Sequence, residues 1–198
     1  MAAIKKYLFG NEMERMPDRA FRWMKLFFRV YYFLKPVQSY ADTFGIRPGY
    51  TVIDFGCGPG DYLRYVAGLV GKEGLVYAVD IHKLAIESVE KLIRKHSLTN
   101  VRPVLSDGNH VAIPDHSADL IYALDMFHMV KDPNIFLREL CRILKPDGVL
   151  VLEDGHQPRI LTKNKILESG CWTIPEEKKR NLRCRPVNVG QGTGSRGR

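Results

Sequence analysis

The chain has 198 residues, 45% of them hydrophobic and 26% charged, which suits one globular domain with a sizeable core and short appendages. No apolar run approaches the roughly 18–20 residues a membrane-crossing helix needs, and the N-terminus lacks the apolar segment of a secretory signal, so the chain is expected in the cytoplasm. The net charge of +8 suggests nucleic acid until it is located: residues 1–35 carry +5, residues 178–198 carry +7 and the body between them −4, a distribution that argues against a basic binding cleft and against a nucleic-acid partner.

In chain order, the first informative segment is RAFRWMKLFFRVYYFLKP, residues 19–36. On a helical wheel Arg19, Arg22, Lys25 and Arg29 share one third of the circumference, while Phe21, Trp23, Met24, Phe27, Phe28 and Tyr31 occupy much of the rest. Two readings follow. The aromatic face packs on the domain as a lid lining an apolar pocket, or the basic amphipathic helix rests peripherally on an anionic membrane. From Thr51 onward, apolar runs alternate with helix-length amphipathic stretches, the pattern of a parallel sheet with crossover helices. Strands are predicted at 51–55, 75–80, 101–107, 118–124 and 149–154. Helices are predicted from about Asp61 to Gly71, over 82–96, and over 132–144 with Asp132 as N-cap and Pro133 in the first turn. KPDG, residues 145–148, reads as a turn. A short helix over 160–170, stopped by Gly170, precedes two strands, CWTIPEE and NLRCRPV, close enough to form an antiparallel hairpin. Pro175 places the first of these at an edge or a strand end. The last residues, GQGTGSRGR, are expected to be disordered.

The stretch VIDFGCGPGDY, residues 52–62, carries the chemistry. Gly56, Gly58 and Gly60 follow a buried strand as G-x-G-x-G, whereas dinucleotide sites favour G-x-G-x-x-G, and no G-K-[ST] follows as a P-loop requires. Asp54 before the loop and Asp61 after it would repel a diphosphate and attract a cation. Asp80, at the end of the second strand and followed by Ile81, can accept from both hydroxyls of a ribose. Asp107 after the third strand can accept from an adenine amino group, with Gly108 and Asn109 letting backbone approach the ring. An amino-acid head, a ribose and an adenine gripped in that order describe S-adenosylmethionine. Cys57 lies in the loop. Together with Cys141, Cys171 and Cys184 it shows no C-x-x-C pair and no zinc spacing, so the cysteines read as reduced thiols and no metal site is predicted.

The motifs VIDFGCGPG, the acid Asp80, SDGNHVAIPDHSADLIYAL and FLRELCRILKPDGVLVLED, in that order, resemble the class I S-adenosylmethionine-dependent methyltransferases over about residues 40–186. They are most similar to the small-molecule branch that includes the ubiquinone and menaquinone biosynthesis methyltransferases. The resemblance implies a Rossmann-like α/β sheet, mostly parallel with a C-terminal antiparallel hairpin and helices on both faces. It implies an N-terminal lid over residues 1–36, the methyltransferase domain over 37–187 and a basic tail over 188–198. S-adenosylmethionine would be held by Asp54, Gly56, Cys57, Gly58 and Gly60 at the methionine moiety, by Asp80 and Ile81 at the ribose, and by Asp107, Gly108 and Asn109 at the adenine. Asp125 and His128, after the fourth strand, are the candidates for taking a proton from the acceptor, although His128 with Asp132 also suits a purely structural role. The acceptor is expected to be a small apolar or aromatic molecule. An RNA or protein methyltransferase, and a binding protein without turnover, are the alternatives.

Overall fold

The computed structural model describes residues 17–34 and 37–187, so the start of the expected lid and the basic tail lie outside the described residues. Seven strands form one sheet in the order β3-β2-β1-β4-β5-β7-β6. They are β1 Thr51–Phe55, β2 Leu75–Asp80, β3 Val101–Leu105, β4 Ala118–Ala123, β5 Leu144–Glu153, β6 Trp172–Glu177 and β7 Asn181–Pro186. The first five run parallel, and β7 inserts antiparallel between β5 and β6. The helices are α1 Asp18–Leu34, α2 Gln38–Ala41, α3 Leu63–Val70, α4 Lys83–His96, α5 Pro133–Ile143 and α6 Arg159–Glu168, with 3-10 turns at Asp42–Phe44 and Phe127–Met129.

Alternation along the central strands explains why both faces are covered. In β1, Val52 joins a cluster with Phe44, Leu63, Val66 and Val89, under α2, α3 and α4. Its neighbour Ile53 joins Phe136, Leu137, Leu140 and Ile166, under α5 and α6. Leu120 and Ile121 of β4 divide in the same way, as strands buried on both faces do. Asp132 caps α5 as expected, its Oδ1 accepting from the N–H groups of Asn134 and Ile135 at 3.1 and 3.0 Å. The KPDG segment differs from expectation. It does not separate α5 from β5 but lies inside β5, which already pairs through Leu144 with Ala118 and resumes regular pairing at Val149 with Leu120. Pro146 and Asp147 are exposed while Gly148 is buried against Leu144, an irregularity within a strand that β4 holds on both sides of it. Pro175 sits at the register shift between Thr173 and Glu176 of the edge strand β6, a place where a missing N–H breaks no ladder.

The loop between β3 and β4 is stitched to α5. Glu139 accepts from the Val111 N–H at 2.7 Å, and Arg142 donates to the Val111 and Ile113 carbonyls at 3.1 and 3.0 Å. Burial alone would push Glu139 up, but the bonds from Arg142 and Val111 outweigh it and hold the carboxyl below its ordinary range. Two stretches distant in sequence, 106–117 and 136–144, are therefore one structural unit.

Candidate functional site

At the carboxyl ends of β1, β2, β4 and β5 lies a cavity of about 840 Å3, the expected ligand position for an open α/β sheet. One wall is the glycine loop. The Gly56 and Cys57 N–H groups both donate to the Val79 carbonyl, at 2.8 and 3.0 Å, which folds the chain back over the end of β2. Gly56 has φ +79°, and a Cβ there would meet Met126 Cγ at 2.9 Å, so both conformation and space require glycine. At Gly58 nothing lies within 4 Å of a Cβ, and the requirement is the φ of +52° alone.

Asp80 organises this wall. Its Oδ2 accepts from the Gly58 N–H and its Oδ1 from the His82 N–H, both at 2.8 Å. Two N–H donors leave further lone pairs on an acceptor-only group, as a diol ligand needs. Burial pushes the Asp80 carboxyl up, opposed by those backbone bonds. Asp54 is 5% exposed, and burial, with repulsion from Asp80 and Asp61, pushes it up to about 8, although Tyr122, its register partner on β4, draws it part of the way down. Asp61 is pushed up to about 6 by burial, with Lys25 pulling it down. Three carboxyls raised together at one wall are hostile to phosphate, and a cation among them would draw all three values down. The Cys57 thiol is buried and pushed up by that burial, a packed rather than reactive group.

Of the other expected cofactor residues, Ile81 and Gly108 line the cavity, whereas Gly60, which packs against Leu63, and Asp107 and Asn109 do not. Asp107 Oδ1 accepts from the N–H groups of Asn109 and His110 at 2.8 and 2.9 Å, and these bonds hold the carboxyl below its ordinary range. The geometry of Asp107 is that of a loop cap.

The facing wall comes from farther along the chain. Asp125 and His128 both line it. Asp125 has φ +49°, an uncommon conformation for aspartate, and its carboxylate lies 3.4 Å from His156 Nε2. His156 in turn stacks on His128, centroids 4.8 Å apart and planes within 5°. His128 thus meets His156, while Asp132 serves the cap of α5. Gly155 permits this stack, since a Cβ there would fall 2.0 Å from His128 Nδ1. Glu153 and Arg180 complete the wall, paired at 3.1 Å, with the Arg180 guanidinium 3.7 Å from the Tyr40 ring centre. Sequence reasoning missed His156, Glu153 and Arg180. The only available signal was the acidic end of β5, LEDGH, and nothing local paired it with the turn of the final hairpin.

The N-terminal helix α1 forms the rim. Phe21 is buried and stacks on His82 at 4.4 Å, His82 Nε2 lies 3.5 Å from Asp18 Oδ1, and Lys25 Nζ donates to Ser88 Oγ at 2.9 Å. The expected division into an aromatic packing face and a basic outer face is therefore redrawn: Lys25 turns toward α4, while Trp23, Leu26 and Phe27 are 74, 54 and 64% exposed. The side chains of Phe28 and Arg29 lie outside those described. His82, another residue missed in the sequence, joins this helix to Asp80. Among the described residues no His, Cys, Asp and Glu cluster is arranged to hold a metal, and no helix is long and apolar enough to cross a membrane.

Comparison with known proteins gives concordant results. Residues 53–152 match the family model described as a methyltransferase domain. The chain is 34% identical over 125 residues to the ubiquinone/menaquinone biosynthesis C-methyltransferase UbiE of Teredinibacter turnerae, covering 63% of this chain and 49% of that one. It is 27% identical over 128 residues to a demethylmenaquinone methyltransferase of a Geobacillus species, covering 65 and 55%. The chain thus spans about half the length of these curated relatives. Among solved structures, a SAM dependent methyltransferase from Aquifex aeolicus superposes with a TM-score of 0.69 at 27% identity, over 77% of this chain and 90% of that one.

Proposed function

The chain belongs to the methyltransferase-domain family, whose cofactor is S-adenosylmethionine, and from that premise we propose that it transfers the cofactor's methyl group to a small apolar or aromatic acceptor. The observation that carries this reading is the continuity of the cavity. Its polar glycine-loop wall opens directly into a chamber faced by Met24, Phe27, Met126, Met129, Val130 and Phe136. Its volume of about 840 Å3 is near the upper end of ligand pockets, roughly 300–1,000 Å3, leaving room for a nucleoside and a second small molecule.

The residues present fit the cofactor. The Gly56–Gly60 backbone would lie against its amino-acid moiety, Asp80 beside Ile81 would accept from the ribose hydroxyls, and Gly108 would border the base. Asp54 and Asp61 favour a cationic ligand over a diphosphate. Bound there, S-adenosylmethionine supplies an electrophilic methyl group on a sulfonium. The chain's own contribution is to orient an acceptor and exclude water, and α1 with its aromatic side chains acts as the lid of residues 1–36 over the domain of residues 37–187. Asp125, coupled to His156, and His128 beside it are the groups placed to hold a proton released by a phenol or an acidic carbon.

Calorimetric titration with S-adenosylmethionine, S-adenosylhomocysteine and NAD, on the native chain and on Asp80→Ala, tests the cofactor assignment. Binding of the first two at micromolar concentration, weakened in the variant, supports it and leads to a mass-spectrometric search for methylated quinols and phenols. Binding of NAD alone refutes it.

A further inference from the structure

Building on the reading of the cavity as an acceptor chamber, we propose that α1 seats the mouth of that chamber on an anionic lipid surface, so that a lipophilic acceptor enters from the bilayer rather than from water. Trp23, Leu26 and Phe27 form one strip on the outer side of α1, and all three are more than half exposed. Scattered apolar residues on a surface are ordinary, but a contiguous strip on one helix marks a contact surface. This strip does not stop at the outside. Trp23 and Phe27 also line the cavity, as does Tyr31, whose ring stacks on Phe27 at 6.1 Å. The same side chains therefore face solvent and the chamber, and whatever covers the strip also stands at the entrance.

Charge identifies what covers it. Arg19 and Arg22 are exposed and lie beside the strip, within about one turn of Trp23 and Leu26, while Lys25, also exposed, is bonded to Ser88 of α4. The basic charge on the outer surface of α1 is thus gathered beside the apolar strip. The segment 36–177 carries −4 and residues 178–198 carry +7, so an anionic surface attracts α1 and the C-terminal end and repels the segment between them. A helix with arginines flanking Trp, Leu and Phe matches interfacial helices that lie in the headgroup plane with the aromatic groups inserted. A second copy of this chain would bring two such basic rims together and is disfavoured by the same charges.

The test uses the full chain with vesicles of phosphatidylcholine alone and of phosphatidylcholine mixed with phosphatidylglycerol, read by sedimentation and tryptophan emission. The chain has two tryptophans, and Trp172 is only 2% exposed, so Trp23 is the one whose emission shifts to the blue on docking. Binding is expected only with the anionic vesicles and weakens as salt is added. Arg19→Glu with Arg22→Glu, and separately Leu26→Asp, are each expected to weaken it at least ~10-fold. None of these three residues lines the cavity, so S-adenosylhomocysteine affinity, measured by calorimetry on the same preparations, is expected to stay unchanged. No binding to anionic vesicles, or binding insensitive to these substitutions, overturns the proposal. Dimerisation in light scattering that Leu26→Asp abolishes, without vesicle binding, assigns the strip to a second copy and also overturns it. Failure of cofactor binding in the native chain strikes the methyltransferase reading instead, so the two failures are distinguishable.

Discussion

The wall at the ends of β1 and β2 is made of backbone, whereas the wall facing it is made of side chains drawn from α1, the ends of β4 and β5, and the final hairpin. In the first, Val79 and Asp80 gather N–H groups from Gly56, Cys57, Gly58 and His82, and although Asp80 stands 22 residues from Gly58, the glycines and the acid are each announced by a local pattern at the end of a strand. In the second, Asp125 meets His156 and Glu153 meets Arg180 across gaps of about thirty residues that only the sheet closes. The contrast teaches that a ligand shared by many proteins can be held by a local device, while the chamber for a particular acceptor is assembled from separate elements that can vary independently.

Substitutions test that contrast, and the largest effects are expected where a wall depends on glycine. Gly155→Ala and Gly56→Ala each combine a positive φ with a close approach, to His128 and to Met126 respectively. Each is expected to lower stability by about 3 kcal/mol in urea unfolding, as overpacking and left-handed strain together imply. Gly58→Ala has the strain without the clash, and a loss of about 1 kcal/mol is expected. Equal losses at all three positions would break the distinction between space and conformation.

Asp80→Ala removes the acceptor for two backbone N–H groups together with the proposed acceptor for the ribose. A fall of roughly 100-fold in S-adenosylhomocysteine affinity is expected by calorimetry, corresponding to ~2.7 kcal/mol. His156→Gln, on the opposite wall, is expected to leave that affinity within about twofold, because its interactions lie outside the glycine loop.

A pH dependence follows from Asp54. Its carboxyl is raised from the ordinary 3.8 to about 8 in the folded chain, so between those values the folded state holds a proton that the unfolded state has released. Stability from this group is complete below about pH 4 and is lost as pH rises through 8, by at most about 1.4 kcal/mol per pH unit. Asp54→Asn is expected to flatten the decline between pH 6 and pH 8 measured by urea melts. Smallest of all, Lys25→Ala removes a part-buried bond to Ser88, with a loss of about 0.5 kcal/mol, and raises the Asp61 carboxyl further by withdrawing its nearby cation, an effect read from the carboxyl carbon shift.

The succession of strands along the chain, the N-cap of α5, the glycine loop and the positions of Asp54 and Asp80 at strand ends were legible because each is a local pattern: alternating burial, an Asp-Pro start, glycines following a strand. KPDG misleads at the same level, since Pro and Gly form a turn in isolation, and only the pairing of Leu144 with Ala118 draws the segment into β5. Asp107 stands where the sequence suggests, in the loop after β3, where its own backbone takes up one carboxylate oxygen, a contact that residue type and position alone do not reveal. On α1 the wheel correctly groups Arg19 with Arg22, but it places Lys25 among them because a wheel does not know where the neighbouring helix stands.

By itself, then, the sequence determined the α/β architecture and the glycine-loop wall that we propose for the cofactor, because both are announced by local patterns: alternating apolar runs, glycines after a strand and an acid at a strand end. Of the facing wall the sequence offered Asp125 and His128, and the tertiary structure alone supplied the rest. His156, Gly155, Glu153, Arg180 and Tyr40 become neighbours only when β7 inserts beside β5, and the exposed strip of α1 becomes an entrance only because Phe21 and His82 fix that helix over the ends of the strands. Local hydrogen-bonding rules see neither event, since both depend on which distant surfaces bury one another.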